Sequence, residues 1–544
     1  LAGTYDVGTP PPGFPAEDFA TLQEGLDAVH YLGVSDDVTL RFHDDFGGFP
    51  VTVRPFDGAA EDQRLVVLPY VPANQYAYSP TDAASNGAIR VEGADHVTIG
   101  YMFIDLTGGT GGHGQALRLE GEVDDLRLPF FGGFGVSGSA SSEAALIGGA
   151  TATTTNLWVD QGFFDGGAYG LYLNGGPSSG TTVTNSTFVD LRAAGIRLIE
   201  HDDVTISDVE ITSAQANADG IVLENGQGAA IDRARILLTS TAGLASYAIN
   251  LSQNGGTPAD PVSITNSFLT GGDQGIVILD VDHARFAHNT IRALDAAAPG
   301  VFRSAGGNST NIQLVNNILV HEGGGRVLSV DDGGEFTALG PNDLVTSGPV
   351  LASWNGTDYA DLAAYQAGTG FGANSVSVPV TFADAAAGDL HLDGASDGDQ
   401  ALGALPLADV TDDIDGDTRS TSYVYLAADE AGTPLTPPNP DSYAVTGPAA
   451  LGAFAHGDAV NVAWTTLDPT LEAGNVRVSV LCPGQAPFVR YASTPNDGQA
   501  GFAVPVSLGT HGGVDDQAAG CTVEVASVAD PSRAAVSAPF VVTD

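Results

Sequence analysis

The sequence predicts an all-β protein: a parallel β-helix with an N-terminal capping helix, followed by a C-terminal β-sandwich. Three observations predict it. Gly170-Leu171-Tyr172-Leu173, Gly195-Ile196-Arg197-Leu198, Gly220-Ile221-Val222-Leu223 and Gly275-Ile276-Val277-Ile278 each open an alternating apolar run on a glycine. A second alternating run closes on Asn or Asp at Val183-Thr184-Asn185, Ile206-Ser207-Asp208, Ile264-Thr265-Asn266 and Leu314-Val315-Asn316. Copies recur at roughly 22–33 residues, the range of a stacked repeat. Period-two alternation without intervening helices marks strands with one buried face.

The elements follow in order. Residues 1–84 read as an N-terminal cap and first strands, because Phe19, Leu22, Leu26 and Val29 share one helical face and a stacked repeat needs its apolar end covered. Alternating strands are expected at Val38–Phe42 and Val51–Val53, with an apolar run at Leu65–Val71. Residues 85–330 read as the rungs. They amount to roughly ten coils, a rod of about 50 Å at ~4.8 Å per coil. Residues 331–430 lose the clean repeat and read as the far end of the rod and its cap, with Asp361–Gln366 as a short closing helix. The Pro-rich segment 431–442 reads as a linker. Residues 443–544 read as an immunoglobulin-like β-sandwich from strand signals at Val460–Trp464, Val476–Leu481, Gly501–Val504 and Phe540–Val542.

The formal net charge is −48, all 18 basic residues are arginine, and aspartate outnumbers glutamate severalfold. Such a surface repels nucleic acid and anionic membranes. No apolar run is long enough to span a bilayer, so no membrane insertion is expected. The charge suits high salt or abundant divalent cations, either as general halophilic adaptation or as a calcium-loaded surface. Cys482 and Cys521 are confined to the last module and are expected to form one disulfide, which suits an exported protein. A start at Leu1 fits a mature product whose secretion signal has been removed.

Several segments resemble a known group. Leu1–Gly8, Asp18–Leu22 and Leu32–Ser35 look like the opening of secreted bacterial right-handed β-helix proteins of the pectin-lyase-like superfamily. Ala373–Val376, Gly388–Leu392, and Asp413–Arg419 with Ala428–Glu430 resemble the same group beyond the rungs. The resemblance implies a right-handed coil, an extracellular or cell-surface location and cargo of the type IX export pathway. Catalysis is undemonstrated in most such relatives, so it implies fold and place more than activity. The last module looks like immunoglobulin-like sandwiches appended to exported proteins.

Folds of this superfamily often cleave acidic polysaccharide. Lyases of this type need an Arg or Lys base beside calcium-binding carboxylates, and lysine is missing. Arg197, Arg233 and Arg235 remain as bases. Arg90, Arg118 and Arg197 occupy the same outward position of the first strand and would form an arginine ladder suited to a uronate chain; the structural alternative is charge balance against Glu92 and Glu120. Glu200, His201, Asp202, Asp280 and Asp282 supply carboxylates and imidazole for acid–base cleavage. Equivalent turns carry Asp95-His96 and Asp124-Asp125, and a feature repeated on many rungs reads as turn chemistry. Gly112-His113-Gly114 resembles a hydrolase tripeptide in the wrong order relative to the acidic turns. Asp413, Asp415 and Asp417 alternate around Gly416 as in calcium loops, without the helical flanks and distal Glu of an EF-hand; the alternative is a turn sealed by Arg419. Asn185, Asp208, Asn266 and Asn316 are expected to stack as turn ladders.

The sequence therefore predicts a non-catalytic extracellular rod, structural or adhesive, that self-associates or binds other surface proteins. No cofactor is required, and calcium is the one optional ion. A calcium-dependent polysaccharide lyase or glycoside hydrolase, and a carbohydrate-binding rod without cleavage, are the alternatives. The charge makes one prediction at once: the melting temperature should rise between low and molar salt as self-repulsion is screened, and calcium should add to it. An unchanged melting curve across that range contradicts the halophilic reading.

Overall fold

The computed structural model describes residues 1–9, 18–44, 47–242, 246–372, 374–435, 443–448, 453–455, 458–466, 475–481, 488–496, 498–503, 518–528, 534–537 and 540–543. The chain divides into two compact units, Leu1–Leu435 and Thr436–Asp544.

The first unit is a right-handed parallel β-helix of about 12 turns. Its strands form three long walls. The first wall has 13 strands from Val51–Val53 to Thr357–Tyr359, the second has 13 from Gly3–Val7 to Phe336–Leu339, and the third has 11 from Asn74–Ala77 to Asn342–Thr346. A full coil visits them in that order, as in Ala194–Ile199, Thr205–Ser207 and Glu210–Ser213. The walls begin at residue 3 and run to Trp354, beyond both ends of the segment in which the repeat is plain in the sequence. Alternate side chains enter the interior, where like residues stack in register: Ile196, Ile221, Ile249, Ile276 and Phe302 form one column. Each coil thus buries the apolar edge of the one before it, which gives the stack its driving force.

The recurrent glycines answer to space. A Cβ on Gly170 would lie 2.2 Å from the Phe188 ring, and one on Gly275 would lie 2.2 Å from Ile291. The inward side chain of a third-wall strand fills the corner where the first wall begins, so only glycine fits there.

The bend between second and third walls is a single left-handed residue. Asn185, Asp208, Asn266 and Asn316 all occupy it, with φ of 49°, 54°, 48° and 56°. The inter-coil amide ladder stands one residue further on, inside the bend. Asn317 donates to the carbonyls of Phe286 and Val315 and to Asn342 Oδ1, while its own Oδ1 accepts from the Asn289 amide nitrogens. Asn289, Asn317 and Asn342 are each fully buried.

Both ends are closed. Helix Leu22–Leu32 starts in a capping box between Thr21 and Glu24 and buries Leu22, Leu26 and Val29 on the first coils. Helix Leu362–Thr369, capped by Asp361, buries Tyr365 against Trp354 at the far end. The chain then folds back along the third wall. Arg419 anchors this return segment: it is buried, bonds Glu430 and the carbonyls of Asp412, Ala427 and Ala428, and reaches Asn266 of the rod at 2.9 Å. Leu390, Ile414 and Ala428 cover Phe268, and Leu392, Leu402 and Tyr425 cover Ile318 and Val320.

Asp343 lies under this return segment, fully buried. Its Oδ1 accepts from Val378 N at 2.9 Å, and its Oδ2 has no partner. Burial pushes the carboxyl up to about 7. A folded-state value above the unfolded one favours the protonated fold, so this stabilisation is complete below pH ~4 and is lost as pH rises through about 7. Asp343→Asn should therefore raise the melting temperature at pH 8 and change it little at pH 4. Equal shifts at both pH values would contradict the assignment.

The second unit contains two small sheets around one core. Tyr443–Val445, Ala459–Thr466 and Gln499–Ala503 form one, and five further strands ordered Ala453–Ala455, Phe540–Thr543, Ala518–Ser527, Asn475–Leu481 and Phe488–Pro495 form the path of the other. Val460, Val462 and Trp464 pack with Val476, Val478, Val480, Val523, Val525 and Phe540. Cys521 is buried in this core, and Cys482 lies outside the described residues.

Candidate functional site

The outer face of the third wall divides in two. The return segment covers its last five strands, from Arg235–Leu238 to Asn342–Thr346. Among the described residues its first six, from Asn74–Ala77 to Glu210–Ser213, are uncovered.

On the uncovered strands two outward columns run along the rod. Gln75, Phe103, Gly132, Phe163, Thr187 and Glu210 are successive partners in one; Ala77, Asp105, Phe134, Asp165 and Val189 are partners in the other. Phe134 lies 6.5 Å from Phe103 and 5.9 Å from Phe163, ring centroid to centroid. A Cβ on Gly132 would meet the Phe163 carbonyl oxygen at 2.1 Å and the Phe103 ring at 2.9 Å, so glycine here lets the next rung and that ring both approach closely.

At the bend beside these strands stand Tyr101 and Phe130. Their rings are stacked at 5.2 Å with an interplanar angle of 23°, and they are 40% and 38% exposed. Both are left-handed, with φ of 58° and 50°. This is the position that Gln161, Asn185, Asp208, Arg233, Asn266, His288 and Asn316 fill on later rungs. Bulky residues are disfavoured there by about 1–2 kcal/mol each. The left-handed backbone is what this bend demands on every rung; what sets these two apart is a pair of large rings stacked on each other in solvent.

The opposite edge of the wall is a groove of about 550 Å³. Gln75, Asp105, Phe134, Asp165, Asp190 and Gln215 line it from six successive rungs, with Arg192 beside them. Five intervals of ~4.8 Å make it about 24 Å long. Asp165 makes no side-chain hydrogen bond, and burial together with the charge of Asp190 holds its carboxyl above the usual range. Arg192 makes no ion pair, side-chain hydrogen bond or ring contact, which singles it out from every other arginine among the described residues.

The residues singled out from the sequence are occupied elsewhere. Arg90, Arg118 and Arg197 do share one outward column of the first wall, but Gly148 and Tyr172 stand between Arg118 and Arg197, so they form no continuous ladder. Arg90 is bound to the carbonyls of Ala84 and Asn86, Arg118 to Glu120 at 2.5 Å, and Arg197 to Glu224 at 2.9 Å. Arg233 pairs with Asp208 and Asp232, and Arg235 with Asp415. Glu200 and Asp280 are left-handed corner residues, with φ of 62° and 54°. His201 points inward, 3% exposed and bonded to Thr181 Oγ1, and burial lowers its pKa to about 4. Asp202 accepts from the Gln227 amide one coil on, Asp280 from Asn308, and Asp282 from Thr310 and Asn311. These are ties between coils, as the repetition of the acidic turns suggests.

Asp413, Asp415 and Asp417 are not brought together as a calcium cage. Asp413 is buried and accepts from the backbone amides of Asp415, Asp417 and Glu430. Asp415 instead turns to His391 Nε2 at 2.9 Å and to Arg235 at 2.6 Å. Among the described residues, His391, Asp415 and Asp429 are the one group with ligand atoms close enough, within 4.8 Å, to share a metal ion. Burial opposes a charged His391, but the Asp389, Asp429 and Asp415 carboxylates outweigh it and hold the imidazole above its ordinary value. With Arg235 already on Asp415, the cluster is accounted for as a charged clamp between the return segment and the rod.

A family model described as the right-handed β-helix region matches residues 169–340. A search of the curated proteins found no match. Two solved structures are similar in fold. The A-module of the mannuronan C-5 epimerase AlgE6 of Azotobacter vinelandii is 12% identical, aligns over 66% of this chain and 95% of its own, and has a TM-score of 0.35. Tailspike protein 2 of the Escherichia coli O157:H7 bacteriophage CAB120 is 10% identical over 97% of this chain and 66% of its own, at a TM-score of 0.28. Among the described residues no helix is long and apolar enough to cross a membrane.

Proposed function

We propose that this protein is an exported, non-catalytic rod that holds polysaccharide along the uncovered half of its third wall. The exposed, stacked pair Tyr101 and Phe130 carries the reading. Rings of this kind offer flat apolar area for the C–H faces of sugars, and Phe103, Phe134 and Phe163 extend the surface toward the groove. The groove supplies polar groups of the kind that fix hydroxyls. Its length, about 24 Å, favours an extended chain over a single sugar. Retention on glycan-containing native gels tests the reading, with a β-glucan, a galactomannan, polygalacturonate and alginate as probes. Retardation by any of them supports it, and migration unaffected by all of them overturns it.

One observation favours cleavage as a second reading. Asp165 is held above the usual carboxylate range beside Asp190 on the next coil, a pairing of the kind that splits acid and base roles. Release of reducing ends that is lost in both Asp165→Asn and Asp190→Asn would establish it. Cell-surface placement and self-association complete the proposal; sedimentation in high salt tests the latter, and monomers at every concentration would count against it.

A further inference from the structure

We infer that the glycan held on the third wall is uncharged. This rests on the glycan-binding reading and concerns which class of chain the wall accepts.

Positive charge is scarce and mostly neutralised within the fold. The chain has 18 basic residues against 66 acidic ones. In the first unit every described arginine except Arg192 is bound to a carboxylate or to backbone carbonyls. The column of Arg90, Arg118 and Arg197, the arrangement that would suit a polyuronate, is neutralised within the fold. The groove itself sets Asp105, Asp165 and Asp190 against Arg192 alone, and none of these carboxylates has an ion-pair partner. A polyanion would bring repeated negative charge within the ~8 Å screening length at physiological salt, on a protein already far from neutral.

The same groups suit an uncharged chain. Carboxylates accept strong hydrogen bonds from hydroxyl donors. Arg192 donates to ring and hydroxyl oxygens. Phe103, Phe134 and Phe163, with Tyr101 and Phe130 at the bend, cover the apolar faces. A polycation would be attracted to the acidic surface at large, so its capture would be diffuse and salt-labile.

The test runs the full-length protein on native gels containing mixed-linkage β-glucan, galactomannan, polygalacturonate, alginate or chitosan, at low and molar sodium chloride. Retention by an uncharged glycan, changing less than about twofold between the two salts and abolished in Tyr101→Asn/Phe130→Asn, is the expected result. Retention by polygalacturonate or alginate that is lost in Arg192→Ala would overturn the inference while leaving a glycan-binding wall in place. Capture by chitosan alone, lost in molar salt and unchanged in the double variant, would also overturn it. No retention by any probe would remove the proposed function itself.

Discussion

Replacing Tyr101 and Phe130 together by asparagine should weaken glycan binding about 10- to 100-fold, on the scale of ~1.4–3 kcal/mol for two well-placed aromatic contacts. The melting temperature should stay level or rise. Asparagine is the residue that Asn185, Asn266 and Asn316 place at the same bend, and it accepts a left-handed backbone more readily than tyrosine or phenylalanine. A structural role for the rings predicts the reverse pattern, with stability lost and binding intact. Isothermal titration on an active glycan and a thermal melt of the same preparation separate the two.

The second large effect belongs to the fold. Asn317→Leu is close to volume-neutral, yet it should destabilise the rod by about 2–4 kcal/mol. The substitution removes the side-chain donor to the carbonyls of Phe286 and Val315 and to Asn342 Oδ1, and the acceptor of the Asn289 backbone amide, all inside the stack. Asn342 Oδ1 keeps the Asn317 backbone amide and the Val315 carbonyl keeps the His288 amide, so the cost falls mainly on the Asn289 amide and the Phe286 carbonyl, where water is excluded. Asn308→Ala, which removes an exposed bond to Asp280, should cost under ~1 kcal/mol. Chemical denaturation monitored by circular dichroism compares them; equal midpoints would contradict a ladder that holds the coils together.

The walls are legible in the sequence because each strand must alternate to bury one face. Glycine at the head of the first-wall strands is legible as a phrase, but the reason is tertiary: the Phe188 or Ile291 side chain filling its corner stands 18 or 16 positions later in the chain. Asn316-Asn317 shows how close a pattern can come and still miss. The first Asn supplies the left-handed bend, and the second supplies the ladder. Only the position of the bend distinguishes them.

The candidate site was less legible. Tyr101-Met102-Phe103, Phe130-Phe131 and Phe163-Phe164 mark the aromatic wall, yet in each motif one residue enters the core while a neighbour faces out. Reading them as one surface requires the register that pairs Phe103 with Gly132 and Gly132 with Phe163. Asp105, Asp165 and Asp190 come from rungs of unequal length and show no common spacing. The acidic turns offer carboxylates for acid–base chemistry, but they repeat, and repetition reflects the backbone demands of a corner: Glu200, Asp203, Asp280 and His283 are all left-handed. Arg192 is conspicuous only once the partners of the other arginines are known.

Hydrogen exchange with and without a retained glycan locates the bound chain on the rod. Added protection is expected in the segments 101–107, 130–137 and 163–167, with none in the first-wall strands Ala194–Ile199 and Asp219–Glu224. Protection centred on those first-wall strands, around Arg197 and Glu224, would contradict binding on the third wall.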